Sequence, residues 1–239
     1  MKHIGSTKRV DQNYMRKKML IYNLFYRNVW LTDYKQAGDS VNYAFEENNK
    51  TLYIQFEGSN SITDWVRNFW FFKKPYKDME IPYKVHGGFL AAWKEVEDII
   101  INKITEKDEK GLYKYNKIIT LGYSHGGALS GLCHECVWFH RPDIRENIFG
   151  IGVESPRFYH GWRVKKSLRE RWENYVVIRN CNDIVTHAPP AILKYCHVGK
   201  IIKVGDKSKL KRPKCIKAHY PVPTYEGIRE YEKNNKIGL

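Results

Sequence analysis

Ile118-Ile119-Thr120-Leu121-Gly122-Tyr123-Ser124-His125-Gly126-Gly127-Ala128-Leu129 is the stretch on which the rest of the chain turns. The β-branched, apolar run from Lys117 to Leu121 predicts a strand. Behind the glycines, Ala128, Leu129, Leu132, Cys133, Cys136 and Val137 recur at helical spacing. Between strand and helix stands GxSxG, a sharp turn that lifts a serine off the strand end and presents it to a base. A serine hydroxyl needs that presentation to act as a nucleophile, so Ser124 is the candidate. GxSxG alone also arises by chance on loops, and it is the strand and helix around it that give the pattern weight.

Working outward, an activated serine needs a base to take its proton and an acid to orient that base. Asn180-Cys181-Asn182-Asp183-Ile184-Val185 follows a predicted strand, Tyr175 to Arg179, which places Asp183 on a loop at the carboxyl edge of the sheet, beside the elbow. His219 lies further on in Lys217-Ala218-His219-Tyr220, also on a loop. Of the nine histidines, His187 and His197 also follow Asp183. His187 is too close in sequence to reach the far side of the carboxylate, and His197 opens an apolar strand, where a structural imidazole is the simpler reading.

The remaining pattern alternates strands and helices. Gln12 to Trp30 reads as an N-terminal helix, Gly38-Asp39-Ser40 as a turn, and Val41 to Glu46 and Thr51 to Glu57 as strands around Glu47-Asn48-Asn49-Lys50. Phe89 to Lys103 is an amphipathic helix, with Phe89, Leu90, Trp93, Val96, Ile99 and Ile100 on one face. Further strands are expected at Ile148 to Val153 and Val198 to Val204, with a basic helix near Val164 to Glu173. Such alternation implies an α/β fold with a mainly parallel central sheet and helices on both faces.

Length and composition set the bounds. The 239 residues suit one domain spanning 1–239, and 42% hydrophobic against 28% charged residues excludes a disordered or fibrous chain. Five cysteines at no framework spacing, and an N-terminus without an apolar leader segment, lead to the expectation of a reducing, cytoplasmic location. No apolar run is long enough to span a bilayer, so any membrane contact would be peripheral. Cys133-His134-Glu135-Cys136 has CxxC spacing without a second pair, which reads as core cysteines on a buried helix face, and no metal is expected.

The excess of 41 Lys and Arg over 26 Asp and Glu, a net +15, attracts polyanions and anionic lipid surfaces alike. No nucleic-acid-binding motif accompanies it, and no specific nucleic acid partner is expected. A solvated basic face is the alternative to an anion site.

The chain resembles the class 3, fungal-type lipase family of the α/β-hydrolase superfamily over residues 40 to 220. The resemblance rests on six ordered segments: Phe56-Glu57-Gly58-Ser59, Asp64-Trp65, His86-Gly87-Gly88-Phe89, the elbow with Tyr123 and His125 in place of the usual His and Leu, Ser155-Pro156-Arg157, and Asp183-Ile184-Val185 with Pro189-Pro190. The order Ser124, Asp183, His219 is that of the α/β-hydrolase triad. The resemblance implies hydrolysis of a lipid ester through an acyl-enzyme, with neither metal nor organic cofactor. It implies an oxyanion hole from Ser59 and the His125 amide, and a lid at Ser61 to Phe72 whose Trp65, Phe69 and Trp70 cover or line the acyl site. Triacylglycerol and phospholipid remain alternative substrates, and a non-catalytic binding protein on this scaffold, using its basic face for anions, is the competing reading. Residues 1–34 are outside the resemblance and are expected to form a helical extension.

Overall fold

The computed structural model describes residues 24–58, 72–77, 80–180, 182–205 and 215–234. Its centre is a seven-stranded sheet in the order β1 (Lys35–Ala37), β2 (Val41–Asn48), β3 (Thr51–Phe56), β6 (Lys117–Tyr123), β7 (Ile148–Val153), β9 (Tyr175–Asn180) and β11 (Lys200–Val204). The pairs β1 with β2 and β2 with β3 are antiparallel, and every later pair is parallel. A second, antiparallel sheet has the order β10 (Tyr195–Cys196), β8 (Tyr159–His160), β5 (Tyr83–His86) and β4 (Lys73–Tyr76).

The β6 sequence shows why the large sheet is covered on both sides. Ile118 belongs to one apolar cluster with the helices α1 (Gly87–Ile104) and α2 (His125–His140), while Ile119, Leu121 and Tyr123 belong to another. That second cluster includes Leu24 and Phe25, from a helical turn at 24–29, and Ile228 of the last helix, α3 (Pro221–Asn234). Alternate side chains of a strand face opposite ways, so a strand buried throughout requires a layer on each face. The alternation of strands and helices predicted this mainly parallel sheet covered on both faces, and it is the α/β-hydrolase fold that the family resemblance implied.

One expectation is corrected, and one strand is added. Lys166–Trp172 forms tight 3-10 turns instead of a helix from Val164 to Glu173. Its anchors are drawn individually into the core: Leu168 and Trp172 are buried, Trp172 Nε1 donates to Gly131 O at 2.9 Å, and Arg171 pairs with the buried Glu135. The N-terminal segment is helical at 24–29 and then contributes β1 to the sheet, a strand that the sequence reading left out; residues before 24 lie outside the described ones.

Candidate active site

The strand β6 runs into an elbow whose backbone is set by its glycines. A Cβ on Gly122 would stand 1.9 Å from Gly126 O, and one on Gly126 would stand 2.5 Å from Phe56 O, so only hydrogen fits at either position. This approach lets Ser124 adopt φ 55°, ψ −123°, a conformation that costs an L-residue of order 1–3 kcal/mol and that the surrounding packing must hold. The Ser124 amide donates to Val153 O at 2.9 Å, and its carbonyl accepts from Gly127 N at 2.9 Å. Its side chain therefore leaves the carboxyl rim at the start of α2.

The parallel sheet brings the other two side chains to that rim. Asp183 follows β9 on a short loop, and His219 ends the 3-10 turn Ile216–His219. Their segments are stitched together: Cys215 N donates to Asn182 O at 2.9 Å, Asn180 Nδ2 to Ala218 O at 3.0 Å, and the Tyr123 hydroxyl to His219 O. The Tyr123 ring also stacks on His219 with centroids 5.3 Å apart. His219 Nε2 lies 2.7 Å from Ser124 Oγ, and Nδ1 lies 2.8 Å from Asp183 Oδ2. All three groups are buried. Ser124, His219 and Asp183 thus form one continuous hydrogen-bonded line.

Asp183 Oδ1 accepts from Val185 N at 2.8 Å. Burial pushes the Asp183 carboxyl up, and the neighbouring Glu154 carboxyl, the hydrogen bond with His219 and the imidazole's charge outweigh it, leaving the group below the usual carboxylate range. The loop carrying Asp183 is clamped by Arg157, whose Nη1 donates to His187 O at 2.8 Å and Pro189 O at 2.9 Å. His187 bonds Asp183 O through Nδ1 at 2.8 Å, and His197 Nε2 meets Thr186 O at 2.9 Å, so both competing histidines hold backbone near the site.

The His125 amide is the first of α2, where an N–H has no partner within the helix and points along the positive end of its dipole. Its imidazole is buried against Phe89, and burial, helped by His86, holds it down to about 4. Gly58 abuts the elbow: a Cβ there would lie 3.4 Å from Ser124 Cβ. Ser59, the next residue, and Trp65, Phe69 and Trp70 lie outside the described residues. Cys133 and Cys136 are fully buried thiols on α2, packed in the larger apolar cluster.

Glu154 is the member that sequence reasoning missed. It immediately follows β7, is fully buried, has φ 54°, and places Oε2 3.4 Å from His219 Nδ1. Burial and then the Asp183 charge raise its carboxyl well above the ordinary value. A glutamate at a strand end reads as solvated, so only the sheet register could have placed it here. Glu154, Asp183 and His219 have ligand atoms within 4.8 Å of one another, but both imidazole nitrogens are already committed to Asp183 and Ser124.

Comparison with known proteins gives consistent matches. The sequence model of the family "Lipase (class 3)" matches residues 53–193. The "Lipase" of Rhizomucor miehei is 29% identical over 171 residues, 68% of this chain and 44% of that protein. The "Secreted mono- and diacylglycerol lipase 1" of Fusarium solani is 25% identical over 162 residues, 68% of this chain and 46% of that protein. The chain therefore spans less than half the length of these curated relatives. A solved triacylglycerol lipase, described as having a serine protease triad as its catalytic centre, superposes with a TM-score of 0.65 at 21% identity, covering 90% of this chain and 94% of that one. The Fusarium solani relative overturns the cytoplasmic location expected from the cysteines and N-terminus. The described cysteines Cys133, Cys136, Cys196 and Cys215 are free thiols, three of them with thiol pKa raised by burial, and sheltered thiols do not fix a compartment.

Proposed function

The chain belongs to the class 3 lipase family, and on that premise we propose that it is a serine hydrolase of lipid carboxylic esters. The observation that carries this reading is the buried line from Ser124 Oγ through His219 to Asp183, with links of 2.7 and 2.8 Å. Ser124 attacks the ester carbonyl while His219 Nε2 takes its proton. The tetrahedral oxyanion is stabilised by the His125 amide and by Ser59. His219 then returns the proton to the leaving alcohol, and water repeats the cycle on the acyl-enzyme. Asp183 holds the imidazole with its Nδ1–H inward and stabilises the imidazolium. Trp65, Phe69 and Trp70 belong to the segment that covers the acyl chain in this reading.

A lipid surface is favoured over a dissolved ester by one feature. Trp162, 67% exposed, and Ile192, 80% exposed, stand with Leu193 beside Lys194 and Arg163 on the side formed by β8 and β10. Exposed apolar tips ringed by cations suit peripheral contact with an anionic membrane. Activity on anionic vesicles that salt suppresses supports phospholipid as substrate; equal activity on neutral emulsions supports triacylglycerol.

The reading is tested with a p-nitrophenyl acyl ester and a fluorophosphonate probe. Wild-type protein turns over the ester and takes up the label at Ser124, and Ser124→Ala does neither while melting at the same temperature. An unlabelled, inactive wild-type protein would establish the non-catalytic scaffold instead.

A further inference from the structure

Behind the imidazole stand two carboxyl groups, one more than proton transfer from Ser124 requires. Glu154 and Asp183 are both fully buried, and both approach His219 Nδ1, Asp183 Oδ2 at 2.8 Å and Glu154 Oε2 at 3.4 Å. Nδ1 carries one hydrogen, and it is spent on the nearer oxygen. Glu154 Oε1 accepts from the Thr224 hydroxyl and from Asn180 N at 3.3 Å, so this oxygen plays the part of a carbonyl. No donor among the described residues hydrogen-bonds Glu154 Oε2, and a carboxyl oxygen of Glu154 lies within 4.8 Å of one of Asp183.

Two acceptor-only oxygens cannot sit against one another in a buried site unless one of them carries a hydrogen. Asp183 already accepts from Val185 N and His219, the pattern of an ionised group, so the hydrogen belongs to Glu154. The neighbouring donors do not supply it: Tyr123, whose ionisation the Glu154 charge opposes, spends its hydroxyl on His219 O, and Thr224 of α3 and Asn180 of β9 both donate to Oε1.

We propose that Glu154 is a positioning residue for the hydrolysis argued above: a neutral carboxyl whose Oε2–H donates to Asp183, fixing that carboxylate against His219 while keeping a single negative charge behind the imidazole. The position of Glu154 on a left-handed backbone supports this, because a buried glutamate at φ 54° persists only where its surroundings hold it. Burial and the neighbouring carboxylate both push its proton on, in the same direction as the hydrogen-bond inventory. The inference rests on the hydrolase reading, and its test separates the two.

Glu154→Gln is the informative variant, since the amide keeps the oxygen that accepts from Thr224 and Asn180 and places an N–H where the acid has its O–H. Glu154→Met and Glu154→Gly remove the donor, the second also relieving the backbone. With a p-nitrophenyl ester, kcat and the acid limb of kcat/KM for Gln remain within about threefold and about 0.3 pH unit of wild type. In both Met and Gly, kcat falls by at least about thirtyfold at little-changed KM. Were Glu154 ionised, Gln would remove a negative charge beside the imidazole and move the acid limb down by about one unit or more; that shift, or Met and Gly variants as active as wild type, would overturn the proposal. NMR titration of the His219 ring in wild type and Gln reads the same charge without turnover, and equal midpoints are expected. Should wild type fail to hydrolyse esters or take up the fluorophosphonate, the hydrolase reading falls and the catalytic part of this inference with it. The NMR comparison still judges the protonation of Glu154.

Discussion

Asp183→Asn tests the orientation of the imidazole most directly. Asparagine keeps the oxygen that accepts from Val185 N, but puts a donor-only amide nitrogen opposite Nδ1, where Asp183 Oδ2 accepts at 2.8 Å. Two donors cannot face each other, so the neutral ring moves its hydrogen to Nε2, and the lone pair aimed at Ser124 Oγ from 2.7 Å disappears. Losing the correct tautomer and the buried counter-charge of the imidazolium amounts to about 4–5.5 kcal/mol of transition-state stabilisation, or about 10³–10⁴ in kcat at 1.36 kcal/mol per decade. Glu154 modifies this figure. Once the Asp183 charge is gone, Glu154 loses a neighbour that keeps it neutral, and its Oε2, 3.4 Å from Nδ1, can ionise and accept the ring's hydrogen. The single variant is therefore expected near the small end of the range, regaining activity as pH rises, and Asp183→Asn with Glu154→Gln near the large end. Ester turnover and the rate of fluorophosphonate uptake across pH are the assays. A double variant within about tenfold of wild type would refute the orienting role of the carboxylate.

Two further predictions concern the scaffold. Arg141 is fully buried, donates to Ile104 O at 2.6 Å and Tyr115 O at 2.7 Å, and pairs with Asp143 at 2.9 Å, so it ties the end of α1 to the loop before β6. Arg141→Ala leaves two buried carbonyls without donors, at a cost of about 3–5 kcal/mol, and thermal melting should fall by roughly 10 °C; a fall under about 2 °C would refute it. His134 is held down to about 3 by burial, so between pH 6.5 and about 3 the unfolded chain binds a proton that the folded one refuses, and stability is lost as pH falls. His125, buried, and His197, half-buried, are also held low by desolvation and act the same way, while Glu135, raised to about 7 by burial against the opposing pull of Arg171, loses stabilisation as pH rises from 4.5 towards 7. His134→Asn should melt lower at neutral pH yet decline less steeply between pH 6.5 and 4, and melting curves that run parallel to wild type would remove His134 from the account.

The elbow was legible because two periods change within a dozen residues: a strand covered on both faces is apolar throughout, and the helix after it shows its stripe through the glycines. The positions of Asp183 and His219 were legible for a topological reason, since loops following parallel strands collect at one rim. The strands β8 and β10 are two residues each and stand on pairing alone, β8 with β5 and β10 with β8, so they carry no periodic signal. Lys166–Trp172 has helical spacing between Leu168 and Trp172, but each is fastened separately to the core and the backbone follows them. On α2 the stripe understated burial: His134 and Glu135 lie inside because α1, the sheet and the 166–172 turns surround that helix, and Glu135 is paired with Arg171 and bonded by Tyr83 at 3.2 Å.

Where the chain departs from local preference, the departures converge. In the parallel register Tyr123 faces Val153, so the next residue of each strand, Ser124 and Glu154, leaves the sheet side by side, and each adopts a left-handed backbone that its residue type disfavours. The Ser124 amide bonds Val153 O, and the Glu154 amide bonds Ile178 O, the strand that leads to Asp183. Three adjacent strands thus end in one hydrogen-bonded rim, which turns the serine outward to His219 and the glutamate inward to Asp183. Strain of this kind, of order 1–3 kcal/mol at each residue, persists in a marginally stable fold only when neighbouring contacts over-determine it. The carboxyl behind the imidazole and the hydroxyl in front of it are therefore held by the same pair of strand ends.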